Sequence, residues 1–447
     1  MSINNAQQGN NTTNGTDTTF KRNLGLIEAV SIGIGGMIGG GIFAVIGLVI
    51  GLAGYFVYLS LIYCTIIAIF TGYNYAIMAK AYPSSGAGYT FVRVGFGDKI
   101  GGIVGWMLWF GYVAAIALYA MSFGLYVSYF FPYNWKIYSL LLIFLFTVIN
   151  FKGVKETGFI ENLIVGAKVG ILLIFIIGGL LVTNVLPSFQ HSLSSIHQIG
   201  TSQLINIFLG GTLIFIAYEG FELIATSAEE IRNPEKNITY AIFISIAIVS
   251  AVYFFTAIIS VSVADPGTIS SSEGPLIIAA KQFLGTFGEI LLGFGGVFAT
   301  ASALNASLYG ASRVLYAISR DGIGPYRLTN IHSKHATPHN SIILTALAAT
   351  GLTLIGVLSE VSTLSSLFFL FIFLAVNLGA VKLELKGELK NNVILSFMPV
   401  ILIIFSIYLL LQYLMTPLLW LLLFSAVGVA YITTKINLRN GARENKK

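Results

Sequence analysis

The stretch SIGIGGMIGGGIF, residues 31–43, carries six glycines in thirteen positions and is flanked on both sides by apolar residues. Each glycine costs a helix about 1 kcal/mol relative to alanine. Yet the run 26–50 is apolar but for Glu28 and Ser31, and about 20 such residues suffice to cross a bilayer. A bare backbone N–H or C=O in hydrocarbon costs several kcal/mol. A spanning helix therefore opens only where protein or a water-filled cavity replaces the lost bonds. Gly39, Gly40 and Gly41 have no side chains to shield their amides. In one reading the helix opens here, and its second half turns N–H groups and a positive dipole end toward a carboxylate. In the other, the glycines serve close helix packing, since Gly35/Gly39 and Gly36/Gly40 are GxxxG pairs.

The chain has 447 residues, 56% hydrophobic and 9% charged, so the lipid bilayer is its solvent. Twelve spans are expected, at about 26–50, 53–79, 101–131, 137–151, 161–183, 203–228, 239–264, 286–318, 341–358, 362–381, 393–414 and 417–434. Strands of a membrane barrel would alternate in polarity, and these runs do not. Residues 1–20, rich in Asn, Thr and Gly, read as a disordered tail with no signal peptide. With that tail in the cytoplasm, cytoplasmic segments hold 21 of the 24 lysines and arginines. Outer loops hold only Lys136 and Lys281, and Lys168 falls inside span five. This asymmetry predicts an even span count and both termini on the cytoplasmic side of the plasma membrane. Spread over seven segments, the basic residues form no patch for nucleic acid.

Several motif matches lose their force against this topology. Asn11 and Asn14 fit the glycosylation pattern but sit on the cytoplasmic side. Gly95-Phe96-Gly97-Asp98 matches the GxGD of intramembrane aspartyl proteases, but no second aspartate lies in a span, so Asp98 reads as a solvated loop charge. All five histidines lie in loops, so no intramembrane metal site is expected. There is no GxxxxGK[ST] loop for ATP, no cofactor is implied, and the lone Cys64 has no partner for an internal disulfide.

Span six reads TLIFIAYEGFELIATSAEE, with Glu219 and Glu222 well inside it and Gly220 between them. An acidic residue at the bilayer centre costs about 2.5–3.5 kcal/mol on insertion scales, so two in four positions indicate a cavity or a partner. The structural alternative is an internal hydrogen bond from one or both acids. Spans one and six are five helices apart, and interrupted segments at corresponding positions of two halves point to an inverted-repeat transporter. Lys168 either snorkels to the cytoplasmic face or faces the bundle, where an ammonium takes a place that a sodium ion could fill.

With these residues in hand, the chain resembles the amino acid–polyamine–organocation superfamily of secondary transporters. The resemblance runs from residue 21 through most of the chain. It is strongest in residues 36–43, in YPSSGAGYTFVRVGFGD (82–98), in 217–242, in ALNASLYGASRVLYAISRDGIGP (303–325) and at Lys168, where proton-coupled prokaryotic members carry a helix-five lysine. It implies an all-α polytopic membrane protein of 12 transmembrane helices, with a LeuT-type 5+5 inverted repeat and broken helices 1 and 6. The first repeat is 21–183, the second 203–381; helices 11 and 12 occupy 393–434, and 435–447 is a cytoplasmic tail. It further implies that amides at Gly40 and Gly41 hold a substrate α-carboxylate, with Gly39 also in the substrate site, and that carbonyls of Met37, Ile216 and Glu219 receive its α-amine. Lys168 would face the carbonyl of Gly35 and replace sodium in proton coupling, and Glu222 would act as a proton-sensitive latch.

Glu219 departs from the family, which often has an apolar residue there: ionised, it favours a cationic substrate, and protonated it imposes no charge preference. Gly40 stands where a serine is often found. Trp106 and Trp109 read as packing or interfacial residues. Asn233-Pro234 reads as an Asn cap followed by Pro at the first helical position. Arg313 and Arg320 are candidates to pair with Asp321, Glu229 or Glu230 at an inner gate. The expected function is a sodium-independent amino acid permease, a monomer or homodimer with amino acid and proton as partners and no enzymatic activity. The rivals are an amino acid sensor, an exporter or antiporter of cationic amino acids or polyamines, and a membrane enzyme using Glu219 and Glu222 as a carboxylate pair.

Overall fold

A computed structural model of the chain describes residues 22–444, apart from 23, 85, 153–156, 184, 273, 333, 334, 336, 390, 391 and 414. The tail 1–20 and the Asn11 and Asn14 motifs lie outside the described residues. The chain is a polytopic all-α membrane protein: among the described residues, nine helical stretches are long and apolar enough to span a bilayer. Its first stretch, Leu26–Ala81, contains both of the first two expected spans. It comprises α1 (Leu26–Met37), a π-helical turn (Gly41–Val45), α2 (Ile46–Ala53), a 3-10 turn (Gly54–Phe56) and α3 (Val57–Ala81). The chain reverses between α2 and α3 at Gly54, whose φ of 59° only glycine adopts without strain.

There follow α4 (Ala87–Phe96), α5 (Asp98–Phe130), α6 (Trp135–Lys152), α7 (Thr157–Val182), α8 (Val185–Ser194) and α9 (Thr201–Leu213). A 3-10 segment, Ile214–Phe221, leads into the short α10 (Glu222–Thr226) and then α11 (Pro234–Val263) and α12 (Pro266–Ser270). The last helices are α13 (Pro275–Arg320), α14 (His339–Ile355), α15 (Leu358–Leu385), α16 (Val393–Tyr413) and α17 (Pro417–Glu444). α13 is two helices meeting at Gly285 (φ 58°), immediately before the expected start of span eight at 286. α17 continues past 434 to Glu444. The expected ninth span is the 17-residue α14.

α5 is the most deeply buried of the spanning helices and packs against α13, α15 and α14. α1 lies against α11 and the 3-10 segment, and α7 against α13 and α11. α6 and α7 are peripheral. Trp106 and Trp109 are packed inside: their rings meet edge to face, and Trp109 Nε1 donates to Thr345 at 2.9 Å.

Asn233 differs from the expected cap. Its backbone is left-handed (φ 48°), its side chain accepts no capping bond, and its carbonyl instead accepts from the amides of Lys236 and Asn237 at 3.1 and 3.0 Å. The right-handed helical region is disfavoured for a residue before proline, and asparagine tolerates the left-handed one. The GxGD stretch is a helix corner: Gly97 (φ 85°) turns α4 into α5. Asp98 there is half exposed, as a solvated charge should be, and it also pairs with Arg93 at 2.5 Å.

Candidate functional site between two interrupted segments

In an unbroken helix the Gly39 N–H would close onto the Gly35 carbonyl. Here α1 ends at Met37, Ile38 leaves the helical region (ψ 76°), and the Gly39 N–H donates to Met37 at 2.8 Å instead. The Gly35 carbonyl is thereby orphaned in the bundle interior. Lys168 meets it: the fully buried ammonium donates to Gly35 at 2.6 Å and to Ser302 Oγ at 3.3 Å. Gly40 and Gly41 open the next helical turn, and the first N–H groups of a turn have no intrahelical acceptor behind them.

The 3-10 segment Ile214–Phe221 lies against this break. A β-carbon on Gly220 would lie 2.2 Å from the backbone of Gly36 and Met37, and one on Gly36 would sit 2.9 Å from Gly220 Cα. A β-carbon on Gly41 would lie 2.6 Å from Ala217 Cα. Close packing and an opened helix thus occur in one stretch: Gly35, Gly36 and Gly39 pack on Val165, Gly220 and Ala303 around a break at Ile38–Gly39.

Three tyrosines, none of them anticipated from the sequence, tie the freed backbone together. Tyr253 of α11 donates its hydroxyl to Met37 at 2.6 Å and reaches the Ala217 carbonyl at 3.2 Å, pinning one interrupted segment to the other. Tyr126 donates to the Phe43 carbonyl at 2.9 Å. Tyr119 lays its ring against Gly40 and donates to Glu219 Oε1 at 3.2 Å. A phenol inside an apolar run looks like packing; the usable signal is that a buried Tyr O–H needs an acceptor, and the sequence does not say which.

Ile216 is fully buried in the 3-10 segment, and Glu219 is 7% exposed with Oε2 lacking any hydrogen-bond partner among the described residues. Glu222 faces elsewhere. Its carboxyl and the Tyr75 hydroxyl converge on Gly88 of α4, where a β-carbon would lie 3.1 Å from Glu222 Oε1 and 2.9 Å from Tyr75 Oη. No hydrogen bond joins the two acids among the described residues. The site therefore gathers Gly35, Met37, Gly39, Gly40, Gly41, Ile216, Glu219 and Lys168, while Glu222 sits one turn away against α4.

At one end of the bundle, Asp321 accepts from Arg93 at 2.6 Å and from the Tyr89 hydroxyl at 2.9 Å, with Arg320 at 3.6 Å. Burial, and next the Asp321 charge, hold the Tyr89 phenol well above its usual range, so it remains a donor. Arg93, overlooked in the sequence, is the principal partner of Asp321. Arg313 does not join: two helical turns earlier on α13, its guanidinium lies over the Tyr309 ring at 3.0 Å. Among the described residues no group of histidine, cysteine and carboxylate side chains suits a metal.

Comparison with known proteins agrees with a carrier architecture. The chain is 32% identical to an uncharacterised protein of Methanocaldococcus jannaschii, over 88% of this chain and 89% of the relative. It is 25% identical to a branched-chain amino acid permease of Bacillus subtilis, over 83% and 82% of the two chains. It is 27% identical to a methylthioribose transporter of the same bacterium, over 86% of each. The amino acid permease family model matches residues 24–436, and the chain belongs to that family of membrane transporters, which are not enzymes.

Proposed function

We propose that the protein is a secondary active amino acid permease that works by alternating access between its two interrupted segments. The observation that carries this reading is the crossing at Gly36 and Gly220, with Gly41 against Ala217 and Gly40 against Tyr119, whose hydroxyl reaches Glu219. Donors at a half-helix start suit an α-carboxylate, and carbonyls at a half-helix end suit an α-amine. In the proposal the Gly40 and Gly41 amides hold the carboxylate, with Gly39 forming the turn before them, and the Ile216 and Glu219 carbonyls take the amine. The Met37 carbonyl joins them once Tyr253 releases it. Lys168, seated on Gly35, serves as the proton-coupled substitute for a sodium ion, and Glu222 is the latch between α10 and α4. The fold is a LeuT-type repeat of five plus five helices with both termini cytoplasmic. The Arg93–Asp321–Tyr89 cluster closes the cytoplasmic end.

One observation favours a second reading of the substrate. The unpartnered Oε2 of Glu219 offers an acceptor for a cationic side chain, as lysine, arginine, ornithine or a polyamine would bring. The test is uptake of radiolabelled amino acids into sodium-free proteoliposomes, with a panel of cationic and neutral competitors run on the native protein and on Glu219→Gln. Accumulation is expected, and the variant is expected to lose any preference for cations. Binding without accumulation would make the protein a sensor and overturn the proposal. An unchanged preference would remove Glu219 from the pocket.

A further inference from the structure

We propose that the groove between the end of α3, the start of α11 and the segment preceding α1 binds the phosphate headgroup of an anionic phospholipid. Two adjoining hollows, of about 390 and 630 Å3, share Lys80 and Glu235. The smaller is apolar along Ala76, Ile77 and Leu389; the larger is lined by Arg22, Lys80 and Lys236. Three cations thus face one carboxylate, and none of the four is in an ion pair among the described residues. The 30-residue α11 begins at the same place and adds the positive end of its dipole. Thr239 lines the smaller hollow with a hydroxyl oxygen that is shielded and unpartnered.

The groove opens toward lipid. Ile69 of α3 and Tyr240 and Ile244 of α11 are exposed large apolar residues on the same two helices. A slot with an apolar end in the membrane and a basic end at its surface matches a phospholipid better than a soluble anion. The N-terminal tail is a poor occupant, because residues 1–20 contain a single acid, Asp17. A bound headgroup would also act on the site described above. Arg22 is two residues from Leu24, whose amide donates to Glu230 at 3.0 Å and whose carbonyl accepts from the Arg232 amide at 2.7 Å. The Arg232 side chain holds the Arg22 carbonyl at 3.1 Å. A phosphate gathering Arg22, Lys80 and Lys236 would therefore clamp the start of α1 to α3 and to the junction of α10 and α11.

The inference rests on the transporter reading only for the orientation of this end toward an anionic leaflet. Binding is measured without transport, so its failure leaves that reading intact. The full-length protein in mild detergent is titrated with phosphatidylglycerol or phosphatidylcholine, and retained lipid is read by native mass spectrometry. Each basic residue near an anionic lipid contributes about fivefold, so three together give roughly a hundredfold preference for phosphatidylglycerol. The triple variant Arg22→Gln, Lys80→Gln, Lys236→Gln is expected to lose that preference. A control triple at Lys382, Lys386 and Lys435 is expected to keep it. Lys80→Gln alone, expected to lose about fivefold, serves should the triple variant not fold. Retention of the preference by the site variants would overturn the proposal. So would displacement of the lipid by millimolar inorganic phosphate, which would mark a site for a soluble anion. Lipid retention that rises on deleting residues 1–20 would assign the groove to the tail instead.

Discussion

Replacing Lys168 by methionine removes an ammonium while nearly keeping the volume of the side chain, which separates charge from packing. The break at Ile38–Gly39 leaves the Gly35 carbonyl without its helical donor, and Lys168 supplies one at 2.6 Å while also reaching Ser302 at 3.3 Å. Hydrogen bonds to charged groups contribute about 1.5–3 kcal/mol each. If that contact exists only in the conformation with α7 docked on α1, its loss shifts the balance between conformations by about 10- to 150-fold. The assay is proteoliposome transport without sodium in two modes. In one, an inside-alkaline pH gradient drives accumulation; in the other, the same amino acid exchanges across the membrane with no gradient. Lys168→Met and Lys168→Ala are expected to lose gradient-driven accumulation at least tenfold and to keep exchange within about threefold. Accumulation sustained in both variants, or a sodium requirement in the native protein, would refute the reasoning.

Three further outcomes follow from the same geometry. Gly220→Ala drives a methyl into the backbone of Gly36 and Met37. It is expected to destabilise by at least the 1–3 kcal/mol typical of overpacking, read as a lower melting midpoint in detergent; an unchanged midpoint would mean the two segments do not cross there. Tyr253→Phe takes the hydroxyl from the Met37 and Ala217 carbonyls. An unsatisfied buried acceptor costs about 1–3 kcal/mol, so a lowered midpoint is expected, and equal midpoints would show that the pin carries no load. Arg93→Gln removes the principal ion-pair partner of Asp321. It is expected to raise thiol labelling of a cysteine placed at Ser319, with Cys64 replaced by alanine; no increase would mean that the cluster does not close this end.

The features visible in the sequence were those that break a rule of the bilayer. Glycines in mid-span, two carboxylates in four residues and a lysine inside span five each cost free energy, and each needed a partner. Gly35 and Lys168 supply each other's partner, and Glu219 has the Tyr119 hydroxyl for one of its oxygens. Tyr119, Tyr126 and Tyr253 broke no such rule, because a tyrosine in an apolar run costs little until the acceptor of its hydroxyl is known. The ion pair of Arg93 with Asp321 joins α4 to the end of α13 across 228 residues, and local pattern cannot report such a contact. Arg320, next to Asp321 in sequence, was the natural candidate and lies farther away at 3.6 Å. Asn233 makes no side-chain cap because its backbone lies in the left-handed region, which asparagine tolerates, and not in the extended region that a capping residue needs. The break at Gly285 falls just before the expected start of a span, and no sequence pattern marked it.

The central claim is that an amino acid sits between the two interrupted segments, and a substrate-bound structure tests it most directly. A carboxylate is expected within hydrogen-bonding distance of the Gly40 and Gly41 amides, with the amine facing the Ile216 and Glu219 carbonyls. Substrate density elsewhere in the bundle, or continuous α-helix through residues 31–43 and 214–224, would contradict it.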